Sequence, residues 1–181
     1  MTAAPQTFRL APMSGFVRVL TLALSLLPVA FVYAAAFKGA PLLTPGILLV
    51  ILYAWVWLRL RPSRFVVHPQ DIEVIWPLKR RRIARADITG ARVLNRAMLR
   101  ALTGRAARVG AGGLWGGFGW LWSERRGIVQ MYVSRSDGLV WIERGAGRPW
   151  LITPEAPEAF VRALAGAPES GRSIVKAGTP W

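Results

Sequence analysis

The residues able to do acid–base or covalent chemistry are few and scattered. One histidine, His68, precedes Pro69 in a turn, and Asp71 and Glu73 follow it two apart. Strand alternation puts both carboxylates on one side. Such a pair suits general acid–base work, but exposed strands carry it routinely. Ser134, Ser136 and Asp137 share a turn with no histidine near them in the sequence, so a nucleophilic triad has no local support. One histidine and no cysteine exclude a His–His metal pair, a thiolate site, a disulfide and a cysteine nucleophile. Gly110-Ala-Gly112 opens a run of glycines. Trp115 occupies the last glycine's place in G-x-G-x-x-G, and no Walker lysine follows. The reading is a non-enzyme, with no catalytic residue, cofactor site or metal site.

What the sequence offers instead is contact chemistry, made of cations and indoles. The chain carries 24 basic and 9 acidic residues, a formal charge of +15. Arg61 and Arg64 leave an apolar stretch. Lys79, Arg80, Arg81 and Arg82 follow in one basic run, where alternation puts Lys79 and Arg81 on one side and Arg80 and Arg82 on the other. The segment Gly104 to Gly127 interleaves glycines with Trp115, Phe118, Trp120 and Trp122, beside Arg105, Arg108, Arg125 and Arg126. Two roles fit it: aromatics covering an open face of a sheet, or aromatics dipping into lipid head groups. Each cation near an anionic leaflet contributes roughly 1 kcal/mol. Arg92, Arg96, Arg100, Arg105 and Arg108 recur about every four residues, near the helical repeat. A basic helix could follow a phosphate backbone, but Gly104 interrupts it and no nucleic-acid motif appears, so nucleic acid is not the expected partner.

These groups need a frame, and two apolar stretches near the N-terminus supply half of it. Val19–Phe37 has no charged residue and Leu42–Leu60 has none until Arg59. Each is about the 20 residues that a helix needs to cross a ~30 Å hydrocarbon core. Lys38-Gly-Ala-Pro41 links them too tightly for a domain. The expectation is a transmembrane hairpin with Thr44 as a cap of the second helix. Arg9, Arg18, Arg59, Arg61 and Arg64 flank it on one side against Lys38 on the other, which predicts cytoplasmic termini and a multi-pass protein of a bacterial inner membrane. The alternative is a signal peptide cut near Ala34-Ala35-Ala36, which would leave Leu42–Leu60 as the anchor.

From Arg64 onward the pattern changes to short alternating runs. Phe65 and Val67 share one side of a strand. Ile72, Val74 and Trp76 share one face of the next, with Asp71 and Glu73 turned away. Lys79–Ile83 reads as a third strand, Ala86-Asp87-Ile88 as a corner and Ala91–Leu94 as a fourth strand. Asn95 to Arg126 reads as irregular. Ile128–Val133 and Leu139–Ile142 flank Ser136-Asp137-Gly138, a hairpin signal, and Gly145-Ala-Gly147 leads to Pro149–Ile152. Glu158–Ala165, with Phe160, Val161 and Leu164 on one stripe, is the one convincing soluble helix, stopped at Gly166.

The order of these elements resembles the bacterial pleckstrin-homology-like domains found behind two N-terminal membrane spans. The resemblance covers roughly Arg64–Ala165. It is carried by Phe65-Val-Val-His-Pro-Gln-Asp-Ile-Glu-Val74, Arg81-Arg-Ile-Ala-Arg-Ala-Asp-Ile88, Gly112-Gly-Leu-Trp-Gly-Gly-Phe-Gly119, Val129-Gln-Met-Tyr-Val133 and Trp150-Leu-Ile-Thr-Pro-Glu-Ala-Pro-Glu-Ala-Phe-Val161. Ala156 departs from the acidic helix cap that similar proteins tend to have. The resemblance implies a membrane-anchored α+β chain: a transmembrane helical hairpin, then a PH-like, seven-stranded, bent antiparallel β-sandwich or barrel with a C-terminal capping helix. The expected division is 1–62 for tail and hairpin, 63–166 for the PH-like domain and 167–181 for a flexible tail. Fold alone does not set function. The expected role is a binding or scaffold module at the membrane, with a protein partner or a second copy as ligand. Anionic lipid head groups are the alternative partner. The candidate contacts are Arg61, Arg64, Lys79–Arg82, Trp115, Phe118, Trp120, Trp122, Arg125 and Arg126.

Overall fold

The computed structural model describes residues 4–166; the tail expected over 167–181 lies outside the described residues. Helix α1 spans Gly15–Lys38. Helix α2 spans Leu43–Trp55 and is continued by one π turn, Val56–Leu60. Ser14 caps α1 by accepting a hydrogen bond from the Val17 N–H at 3.4 Å, so this helix starts ahead of the apolar run that marks it in the sequence. Thr44 is not the cap of α2; it lies inside the first turn, and no side chain caps that end. Both helical stretches are long and apolar enough to cross a membrane, and only 17% and 11% of their most apolar windows are buried. A core helix of a soluble protein hides its apolar stripe. Here Leu22, Leu26, Val29, Ile47, Leu48 and Ile51 are all exposed. Tyr53 ties the pair together, donating from its hydroxyl to the Leu24 carbonyl at 2.8 Å.

The rest is two packed sheets. Strands β1 (Gln6–Arg9), β2 (Arg64–Val67), β3 (Asp71–Ile75) and β4 (Arg80–Ala84) form an antiparallel sheet in that order. The second sheet holds β5 (Ile88–Leu94), β6 (Ala106–Gly112), β7 (Gly117–Ser123), β8 (Gly127–Val133), β9 (Leu139–Arg144) and β10 (Trp150–Ile152), in the order β5-β9-β10-β8-β7-β6. The expected alternation holds: Phe65, Val67, Ile72, Val74 and Trp76 point between the sheets onto Phe118, Tyr132, Trp150 and Ile152. The outer face of the second sheet carries Leu121, Val129, Met131, Trp141 and Leu151 under Leu99 and Leu102 of α3 (Arg96–Thr103). Helix α4 (Pro157–Ala165) plugs one end of the sandwich. Its Phe160 meets Phe8 edge-on at 5.2 Å and Phe65 at 6.1 Å. At its other end Arg85 donates to the Ala163 carbonyl at 3.2 Å and to that of Leu164.

Several expectations need correction. The described residues form ten strands: nine follow the helices, where seven were expected, and β1 comes from ahead of the first helix. Leu10 continues this segment by bridging to Pro154, and Ala11 N–H donates to the Thr153 carbonyl at 2.9 Å. The stretch read as irregular is ordered: α3 is capped by Asn95, whose side chain accepts from Met98 N–H at 2.8 Å, and a β6–β7 hairpin follows. Strands β8 and β9 flank the Asp137-Gly138 turn but do not pair. Strand β10 lies between them, parallel to β8 and antiparallel to β9, so the sandwich is not wholly antiparallel. Ser134 explains the detour: its N–H donates to Thr153 Oγ1 at 2.9 Å and its hydroxyl to the Ala11 carbonyl at 2.6 Å, steering the chain across β10 rather than back along β8.

Glycines form strands here because two of them face each other. Gly110 and Gly119 are register partners. Their φ angles are +134° and +131°. A Cβ on Gly110 would stand 2.5 Å from the Phe118 carbonyl oxygen, and one on Gly119 would stand 2.6 Å from that of Val109. Only a residue without a Cβ permits this approach. Gly119→Ala is expected to destabilise the hairpin by about 1–3 kcal/mol, read as faster amide hydrogen exchange over β6 and β7 in detergent; unchanged exchange would contradict the assignment.

Asp87 fixes the corner between the sheets. Its carboxylate accepts from the Ala146 N–H at 2.9 Å and from Arg144 Nε at 2.8 Å. The backbone bond first, then Arg144, holds its carboxyl below the ordinary value. A depressed folded pKa stabilises above the unfolded value of about 3.9 and stops doing so as pH falls through the folded value. Asp87→Asn should therefore melt below the parent chain at neutral pH, and the gap should close as pH falls below about 4. Thermal scans of the detergent-solubilised pair check this.

Candidate functional site

The turn between β6 and β7 does not project into solvent. It is wedged between the two long helices. Trp115 N–H donates to the Thr21 hydroxyl at 3.0 Å, and that hydroxyl lies 3.1 Å from the Gly113 carbonyl oxygen. Leu20 and Leu24 crowd Gly113, where an added Cβ would meet Leu20 at 3.2 Å. The Trp115 ring stacks edge-on against Trp57 at 4.9 Å and Tyr53 at 6.4 Å. Trp115 holds φ +58°, a conformation costly for a bulky side chain, so the helix contacts over-determine this turn. Of the predicted aromatic contacts, Trp115 is thus engaged within the molecule. Phe118 is fully buried between the sheets.

Trp120 and Trp122 behave differently. They lie 46% and 51% exposed, beside Val109 at 55% and Ile128 at 42%. Register explains the grouping, because Val109 pairs with Trp120 and Trp122 with Ile128. Side chains at paired positions share a face, so the four residues form one apolar patch. At about 3.3 Å per residue, Trp122 stands roughly 16 Å along the strand from Gly117. The patch therefore rises away from the turn held by the helices. Beside it, β6 is the sheet's outermost strand, with no neighbour on its far side among the described residues and an almost wholly exposed face.

The cations divide in the same way. Arg81 turns inward: its Nη1 donates to Gln130 Oε1 at 2.8 Å and its guanidinium lies 5.2 Å over Trp150. It also opposes the burial that raises the Tyr132 phenol above its ordinary pKa. Arg82 pairs with Glu73 at 3.3 Å. Arg125 donates to the Ala101 carbonyl at 2.8 Å, near the end of α3, and Arg126 pairs with Glu143 at 2.7 Å. Arg61 lies 4.3 Å over Trp57. What remains is a small cationic corner at the exit of the second helix. Arg64, Ile75 and Arg80 are cross-strand neighbours, and Lys79 lies 5.5 Å over Trp76. Trp76 Nε1 donates to the Leu60 carbonyl at 3.1 Å, which fixes this corner to the helix end. Leu78, 64% exposed, tips the β3–β4 turn. Sequence reading missed Leu78, Val109 and Ile128 as contacts; an apolar residue at a turn, a lone valine among glycines and the first apolar residue of a strand give no local sign of exposure.

Two of the groups weighed for catalysis, Glu73 and Ser134, have structural duties. Glu73 does not face solvent; it is buried beside Arg82, with His68 Nε2 at 3.6 Å. Ser134 is buried and holds Ala11 and Thr153. Among the described residues no cluster of three or more His, Asp or Glu could hold a metal ion.

A family model described as the bacterial PH domain matches residues 63–167. No curated protein and no solved structure matches the chain. The match covers more than half of the 181 residues, starts at the helix exit and runs through α4, and it agrees with two stacked sheets closed by a C-terminal helix. The chain belongs to the bacterial PH domain family.

Proposed function

We propose that this chain is a membrane-anchored, non-enzymatic binding module that holds a protein partner, or a second copy of itself, at the cytoplasmic face of a bacterial inner membrane. The anchor is supported by two apolar helices that leave most of their surface uncovered. The cytoplasmic side is supported by the arginines around the chain's entry to and exit from the helix pair. Above all, the patch of Val109, Trp120, Trp122 and Ile128 carries the reading. It lies beside an edge strand that is unpaired among the described residues, and indoles in a contiguous exposed patch are typical anchors of protein interfaces. An edge strand can also extend its sheet with a partner's strand.

A photo-crosslinking phenylalanine analogue at position 122 should yield a defined protein adduct in native membranes. Trp120→Ala should weaken that capture by about 2 kcal/mol, roughly thirtyfold, without unfolding the chain, because the indole is exposed. Adducts with lipid alone, or capture indifferent to Trp120, would contradict the reading.

A second reading, anionic-lipid contact, rests on the corner of Arg64, Lys79 and Arg80 around exposed Leu78. The chain lacks native cysteine, so an environment-sensitive dye on Leu78→Cys reports this turn alone. In nanodiscs its emission should shift to the blue when anionic lipid replaces zwitterionic lipid, and Lys79→Glu with Arg80→Glu should abolish the shift. Arg81 and Arg82 must stay, since both are structural.

A further inference from the structure

We infer that the groove between α1, α3 and the outer face of the second sheet binds one anionic phospholipid taken from the surrounding bilayer. This site is separate from the Trp120–Trp122 patch and from the Lys79 corner. The groove encloses about 560 Å³, within the roughly 300–1,000 Å³ of small-molecule sites. Its floor is apolar, built from Leu99, Leu121, Met131 and Leu151. Leu121, Met131 and Leu151 belong to the second core cluster, each at most 5% exposed, and half-buried Leu99 packs against it. One wall is the start of α1, with Phe16, Val17 and Leu20. Because α1 continues from there as an apolar, uncovered helix, a hydrocarbon chain lying against it has an unbroken apolar path into the groove.

The rim is cationic. Arg96, Arg100, Arg108 and Arg135 converge on the groove from α3, β6 and the β8–β9 connection. Arg108 is exposed on β6 and its guanidinium reaches toward the floor: Nη1 would stand 3.9 Å from a Cβ placed on Gly117. Among the described residues, Arg96, Arg100 and Arg108 have no carboxylate within 4.0 Å, and Asp137 stands at that distance from Arg135. Arg96 donates to the Ser136 carbonyl at 3.3 Å, which holds its guanidinium at the rim. Uncompensated guanidinium groups over an apolar trough match a ligand with a phosphate head and an acyl tail. A soluble anion would leave the trough unfilled, and an apolar peptide would leave the arginines unpaired.

The test uses the full chain in phosphatidylcholine nanodiscs doped with phosphatidylglycerol that carries a diazirine in one acyl chain. On illumination, adducts should map to the peptides holding Leu99 and Met131. Arg100→Gln with Arg108→Gln should reduce them roughly thirtyfold, the loss of two cation–phosphate contacts. Arg105→Gln, an exposed arginine outside the groove, should leave them unchanged. Equal labelling by a diazirine phosphatidylcholine, equal loss in Arg105→Gln, or displacement by inorganic phosphate alone would overturn the inference. So would labelling confined to α1 and α2, the result expected if a protein segment fills the groove.

Discussion

The first sheet is finished by residues that precede the two long apolar helices. Gln6–Arg9 hydrogen-bond along Arg64–Val67, so the segment entering the helix pair and the segment leaving it become neighbouring strands. Leu10 and Ala11 extend the contact to Pro154 and Thr153, and Phe8 packs on Phe160. A strand that crossed a bilayer once could not do this. The pairing requires both ends of the helical hairpin to lie on one side, whichever side that is. Most other features of the molecule depend on this closure.

With that strap in place the sheets are not a bead on a string. Three attachments fix them to the helices: the strap into α1, the Leu60–Trp76 bond at the exit of the second helix, and the Gly113–Gly116 turn wedged against Thr21, Tyr53 and Trp57. Three separate contacts leave little freedom for rigid-body tilt. The Arg64–Arg80 corner and the groove beside α1 then stay near the helix pair, while the Trp120–Trp122 face stays turned along the sheet and away from it. If the helices anchor the chain as proposed, anchoring removes most of the translational cost of meeting a membrane-bound ligand, and modest surfaces are then sufficient for occupancy.

Local patterns were legible in the sequence and pairings were not. Phe65 and Val67, then Ile72, Val74 and Trp76, announce their shared face by alternation. Pro157 and the Phe160–Val161–Leu164 stripe announce α4. Strand β1 is invisible because four residues with no apolar alternation gain their order only from β2, far along the chain. Gly110 and Gly119 argue against strands in isolation, since glycine is depleted there, and they favour a strand pair only once they face each other. Asp137-Gly138 signals a hairpin that Ser134 overrides. For the candidate contacts, residue type was readable but availability was not: Arg81, Arg82 and Arg126 find partners distant in sequence, and Phe118 and Trp115 find the core and the helices.

The strap can be read directly, because the chain has no native cysteine. Thr7 and Val66 are register partners on β1 and β2. A Thr7→Cys, Val66→Cys chain treated with a mild oxidant in intact membranes should form a disulfide within one chain at near-complete yield. A pair that stays reduced, or that links only between chains, would show that the N-terminal segment does not complete this sheet and would contradict the account.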